Sequence, residues 1–211
     1  MRIAICSDLH LEFGDIELNN TEGADVLILS GDICVAKDLA FKDYERSEKW
    51  MKFFENCSEQ FDNVIYVMGN HEHYHGDYAT SAGYLRDAMK QCGDNIHFLD
   101  KEVWEHEDHV FIGGTLWTDM NGEDEMTMHH VERRMNDFQI CKNSLREVNF
   151  RSFEEDKPKF HTRPATLSPQ DAVEDHKAML KFIEDTYTAI PPWKTVVVVG
   201  HHAPSKGSEH P

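Results

Sequence analysis

Asn63-Val64-Ile65-Tyr66-Val67-Met68-Gly69-Asn70-His71-Glu72-His73 decides how this chain is read. Val64 to Met68 is an apolar run of strand length, rich in β-branched and aromatic residues, and it stops at a glycine followed by side chains that hold metals or protons. A short buried strand with polar chemistry at its carboxyl end is expected. The same construction recurs three times. Ile3-Ala4-Ile5-Cys6-Ser7 leads into Asp8-Leu9-His10, Val26-Leu27-Ile28-Leu29-Ser30 into Gly31-Asp32, and Val196-Val197-Val198-Val199 into Gly200-His201-His202. Parallel strands joined by helices bring such ends to one edge, so oxygen and nitrogen ligands are expected to converge there.

Each motif, weak when taken singly, suggests a task. Asp8 and His10 sit at i and i+2, which sets two ligands on one side of an extended or turning backbone. Gly31 permits a sharp turn into Asp32, whose two oxygens suit it to bridge two ions; an N-cap for the following helix reads equally well. Asn70 offers a neutral carbonyl oxygen, which holds a cation without adding charge where a phosphate must sit. His71 is then free as a proton donor, with Glu72 or another carboxylate raising its pKa and fixing its tautomer. For His73, Tyr74, His75 and Asp77 a supporting or solvated place in the loop is expected.

Amphipathic helices are expected over 37–60, with Leu39, Phe41, Trp50, Phe53 and Phe54 as the apolar set, over 79–92, and over 170–188 starting at Ser168 with Asp171 three residues on. Strands at 96–99, 103–105 and 110–116, the last two joined by a turn at His106-Glu107-Asp108-His109, predict a second sheet packed against the first. Residues 117–170 show no clear strands and are punctuated by Pro158, Pro164 and Pro169, so they are expected to form a lid or binding-loop insertion. Trp117, Asp119, His129, His130, Asn136, His161 and Arg163 are candidates to line it. The adjacent pair His129-His130 is assigned to solvated surface, because neighbours on a helix point about 100° apart.

Composition narrows the function. With 40% hydrophobic residues, four Trp and twelve Phe in 211 residues, one globular domain is the simplest expectation, and no apolar run approaches the ~20 residues of a membrane span. The net charge of -18, from 39 acidic against 21 basic residues, should repel long polyanions, and no basic stripe is evident. Small phosphorylated substrates fit better than long nucleic acid. The first strand begins at Arg2, ahead of any room for a leader, which predicts a cytoplasmic protein. Cys6, Cys34, Cys57, Cys92 and Cys141 are odd in number and never spaced Cys-x-x-Cys, so reduced core thiols are expected.

In this order, Asp8-x-His10, Gly31-Asp32, Gly69-Asn70-His71-Glu72 and Gly200-His201 resemble the calcineurin-like metallophosphoesterases across almost the whole chain. Gly113-Gly114-Thr115-Leu116-Trp117 and His201-His202-Ala203-Pro204-Ser205 resemble a bacterial or phage branch of that family. The resemblance implies an α/β fold: a four-layer αββα sandwich of two mixed β-sheets flanked by helices. It also implies two divalent metal ions, and oxygen and imidazole ligands without thiolate suit Mn, Fe or Zn. By position, Asp8, His10 and Asp32 would hold the first ion and Asp32, Asn70 and His201 the second. A hydroxide shared between the ions would attack phosphorus while His71 protonates the leaving alkoxide. His202 and Arg163 are candidate substrate contacts.

One departure from the family's pattern stands out. The family closes its site with a further Gly-His-x-His motif, which this sequence lacks, since it stops at Ser208-Glu209-His210-Pro211. The expectation is therefore a single domain over 1–211 missing its C-terminal strands, with each ion one protein ligand short and His210 a poor substitute. Two functions follow: hydrolysis of a phosphomonoester or phosphodiester, or a metal-binding relative of the same fold with weak or no catalysis.

Overall fold

A computed structural model of the chain describes residues 1–40, 45–154 and 157–208; Phe41 and His210, named above, lie outside the described residues. Strands β1 (Ile3–Cys6), β2 (Val26–Ser30), β3 (Asn63–Val67) and β4 (Ile96–Phe98) lie side by side in that order, and every pair is parallel. In the second sheet β5 (Glu102–His106) and β6 (His109–Gly113) form an antiparallel hairpin, and β9 (Thr195–Val199) joins β6 in parallel. The first sheet is thus purely parallel and only the second is mixed, a correction to the expectation of two mixed sheets. The connections explain it. Helices α1 (Ala36–Leu39) and α2 (Glu45–Gln60) carry the chain from β2 to β3, and α3 (Tyr78–Cys92) carries it from β3 to β4, as parallel pairing requires. Only Glu107 and Asp108 separate β5 from β6, which forces reversal.

Side-chain alternation along the strands builds the layers. Leu27, Leu29, Val64 and Tyr66 face outward onto Trp50, Phe53 and Phe54 of α2 and Leu85 and Met89 of α3. Val26, Ile28, Ile65 and Val67 face the second sheet and meet Leu99, Phe111 and Val199. On the far side, Val110 and Ile112 are covered by Met179, Phe182 and Ile183 of α7 (Pro169–Ala189). Helix, sheet, sheet, helix is the expected four-layer order. The start of α7 is fixed as its sequence predicts, because Ser168 and Asp171 form a reciprocal capping box. At the margins of the two sheets, Ile5 and Val198 are 68% and 46% exposed.

Residues 117–170 differ most from expectation. Short helices α4 (Met120–Glu123), α5 (Glu125–Arg134) and α6 (Asp137–Ile140) enclose a small core of Trp117, Met120, Phe138, Cys141, Leu167, Ala172 and Val173. Then come two long strands, β7 (Lys142–Glu154) and β8 (Lys157–Thr166), paired antiparallel as a separate ribbon. Most of the ribbon's described side chains are exposed, so neither strand carries the apolar-in, polar-out alternation by which a half-buried strand is recognised. His129 and His130 on α5 are exposed, as expected.

The five cysteines are thiols, four of them buried. Burial pushes the Cys57, Cys92 and Cys141 thiols up to about 12 and raises Cys34 as well. Among the described residues no helix is long and apolar enough to cross a membrane.

Phe54 is the aromatic pivot of the first core: it is fully buried, 5.4 Å from Tyr66 in a stacked arrangement and 5.3 Å from Phe53 edge-on. Phe54→Ala is expected to cost about 3–5 kcal/mol, read as a lower urea midpoint.

Candidate metal centre

The polar residues after β1 and β2 are brought together by unusual backbone. Asp8, His10 and Asp32 all adopt left-handed φ values, of 56°, 46° and 55°, a region that Asp and His enter more readily than most side chains. The two turns are tied to each other: the Asp8 N–H donates to the Gly31 carbonyl at 3.1 Å and the His10 N–H to the Asp32 carbonyl at 3.0 Å. Gly31, at φ +83°, and Gly69 are required by close approach. A Cβ on Gly31 would lie 2.6 Å from the His201 ring, and one on Gly69 would collide with the Asp32 carboxylate.

Asp32 is the hub. Its Oδ1 accepts the His71 backbone N–H at 2.8 Å, while its Oδ2 is approached by the Nε2 atoms of His201 at 3.5 Å and of His10 and His71 at 4.0 Å. Asp8 Oδ1 is 3.9 Å from His10 Nε2. His201 is aimed from behind, its Nδ1 bonding the Ser30 carbonyl at 2.8 Å and its backbone N–H the Thr115 carbonyl at 3.2 Å. Asn70 lies half-buried three residues beyond β3, next to the His71–His73 turn.

This donor set fits a metal. Ligand atoms of Asp8, His10 and Asp32 lie within 4.8 Å of one another, and so do those of His10, Glu12 and His71. Imidazole nitrogens held 3.5–4.0 Å from a carboxylate oxygen are too far for good hydrogen bonds, yet spaced for a cation bonded at about 2.0–2.2 Å to each. Without a cation, the same groups shift one another's proton affinity. Burial opposes its charge, but His201 and His71 hold the Asp32 carboxyl below the usual carboxylate range. In turn, and against its own burial, His201 is pushed up to about 9 by Asp32 and the Ser30 carbonyl.

The partner of His71 is Glu12, which the sequence reading did not single out. Glu12 Oε1 lies 2.9 Å from His71 Nδ1 and 3.3 Å from His10 Nδ1, and His71 stacks on Tyr74 at 3.9 Å. Burial works against the His71 cation, but the bond to Glu12 and the charge of Asp32 outweigh it and raise the ring's pKa. Glu72, expected beside His71, instead points into the protein. It is fully buried and accepts the backbone N–H groups of Asp32, Ile33 and Gly69 at 3.1, 2.9 and 2.8 Å and the Tyr66 hydroxyl at 2.7 Å.

Beyond the cluster, His202 stacks on Trp117 at 5.1 Å, and Trp117 also stacks on His73 at 6.1 Å. Trp117 lines a cleft of about 460 Å³ with Thr118, Asp119, Asn121, His176 and Ser205. Arg163 does not join these residues; it lies on β8 with its guanidinium 5.7 Å from the Phe150 ring centre. His73 is 1% exposed and not solvated, and neither ring nitrogen has a partner among the described residues.

A family model described as calcineurin-like phosphoesterase matches residues 1–211. An uncharacterized protein of Acanthamoeba polyphaga mimivirus is 31% identical over 152 residues, which cover 64% of this chain and 50% of that protein. The chain thus spans about half the length of the curated relative it matches. A solved structure, the phosphopantetheinyl hydrolase of Mycobacterium tuberculosis, is similar in fold, with a TM-score of 0.58 and 15% identity over 96% of this chain and 68% of that one.

Buried His73 carries a pH signature. Desolvation holds its ring near a pKa of about 4, below the ordinary 6.5. The folded state therefore refuses a proton that the unfolded chain accepts. Stability should fall as pH drops from about 6.5 toward 4, by on the order of 3 kcal/mol at the low end. His73→Phe, which keeps the stacked ring, is expected to flatten that slope in urea titrations run between those pH values.

Proposed function

The chain belongs to the calcineurin-like phosphoesterase family, and from that premise we propose that it hydrolyses a phosphomonoester or phosphodiester of a small molecule at a two-ion centre. The observation that carries the reading is the convergence of three imidazole Nε2 atoms on one oxygen of Asp32. In this reading Asp8, His10 and Asp32 hold one divalent ion and Asp32, Asn70 and His201 the other, with Mn, Fe or Zn suited to such ligands. When bound, the ions supply a nucleophilic water at neutral pH and offset the charge of the phosphoryl oxygens.

The chain's own residues provide the rest. Glu12, through its bond to Nδ1, fixes the His71 ring and favours its protonated form, so Nε2 carries the proton that the leaving oxygen receives. His202 stacks on Trp117 and meets the His201 ring edge-on, and Trp117 opens onto the cleft it lines with Asp119, Asn121, His176 and Ser205, where the alcohol portion of the substrate lies. We extend the same reading to the chain as one domain, with 117–170 as an insertion that covers the site.

Metal counting beside turnover of bis-p-nitrophenyl phosphate with Mn tests the proposal. Asp32→Ala is expected to lose both bound metal and turnover. His71→Ala should keep the metal while kcat falls about 10²- to 10⁴-fold, and Glu12→Gln should fall in the same direction by less. Wild-type protein that binds metal without turnover would point instead to a metal-binding relative of the same fold, and an Asp32→Ala variant with undiminished metal would remove the bridging role.

A further inference from the structure

The ribbon of β7 and β8 has no third strand among the described residues. Isolated two-stranded ribbons are marginal in water, yet this one leaves Leu145, Phe150, Phe153 and Phe160 exposed by 74, 44, 61 and 78%. Its two edges differ in chemistry. β8 carries Pro158 and Pro164 together with Lys157 and Lys159, residue types that blunt a free edge against further pairing. From Glu147 to Phe153, β7 has neither proline nor lysine. One margin is guarded and the other is open.

We propose that the open edge of β7 is a homodimer interface, in which β7 pairs antiparallel with β7 of a second copy to give a four-stranded sheet ordered β8-β7-β7-β8. The sequence of the edge is complementary to itself in one register. With a two-fold axis through Asn149, Arg151 stands opposite the partner's Glu147 and Phe150 opposite the partner's Val148, all within the regular part of β7 that begins at Glu147. The symmetry makes each contact twice. Members of each pair are an even number of residues apart, so they share a face of the joined sheet, as cross-strand neighbours must.

Charge and exposure fit the same arrangement. Glu147 meets no cation within its own chain among the described residues, and Arg151 is held 4.6 Å above the Phe153 ring centre, presenting an aromatic-arginine pair of the kind enriched at interfaces. Moving the axis to Phe150 would set Arg151 against Asn149 and Phe153 against Glu147. Moving it to Val148 would set Glu147 against Asn149 and leave Arg151 with no carboxylate opposite it. Either shift loses the Glu147–Arg151 pair at both symmetric positions, so charge separates the Asn149 register from its neighbours.

Light scattering on the purified chain, across a dilution series, is the test. The expected mass is twice the 24.5 kDa of the chain. Arg151→Glu places two carboxylates opposite each other at both symmetric contacts and is expected to raise the dimer dissociation constant about 100-fold or more. Glu147→Arg combined with Arg151→Glu swaps the charges and should restore the dimer. Both side chains are exposed, and unchanged far-UV circular dichroism confirms that the variants are folded. A wild-type mass of 24.5 kDa at every concentration, whether the edge is then taken by another protein or by none, overturns the proposal. So does a dimer indifferent to Arg151→Glu, or a charge-swapped variant that stays monomeric. Turnover plays no part in these readouts, so they stand or fall apart from the phosphoesterase reading.

Discussion

The buried carboxylate of Glu72 is the constraint on which the centre depends. Four donors from three segments, the N–H groups after β2, the N–H of Gly69 after β3 and the Tyr66 hydroxyl within β3, are gathered onto its two oxygens. A carboxylate taken fully out of water is costly unless its lone pairs are filled. Here they are filled by backbone groups that have no other partner in the turns. Because the turn after β2 is bonded in this way, Asp32 can be held in left-handed backbone with its side chain toward the histidines. The ion site is thus fastened from below by a residue that does not face it.

Much of this was legible in the sequence, for a definite reason. Strands buried on both faces read as unbroken apolar runs, and where such a run meets glycine and then Asp, Asn or His the chain has little freedom about where those side chains go. Asp32, Asn70 and His71 follow runs of that kind in β2 and β3, whereas β1 and β9, which lead to Asp8, His10 and His201, carry the same apolar run although they are partly exposed at the margins of their sheets. Beside His71 the sequence predicts Glu72 or another carboxylate, and it is Glu12 that takes the place. In the short 3-10 turn over His71–His73 adjacent residues diverge, and Glu72 turns inward while His71 turns out.

What escaped the reading has physical causes as well. Glu12 continues the i, i+2 spacing of Asp8 and His10 by one more step, a signal that was present and not used. The ribbon was missed because burial creates the alternation that marks a strand, and the ribbon is not buried. A different alternation was there: Lys157, Lys159, His161 and Arg163 alternate along β8 and so share one face of it. A row of basic side chains on an exposed strand becomes visible only once the strand itself is known.

The sequestered thiols described with the fold have a practical corollary. Cys34, Cys57, Cys92 and Cys141 are spread over β2's outgoing turn, α2, α3 and the start of the ribbon, and an alkylating reagent reaches each only when its own neighbourhood opens. Mass spectrometry of timed alkylation would therefore act as two clocks, with Cys34, Cys57 and Cys92 timing the opening of the first core and Cys141 that of the small core beside the 117–140 helices.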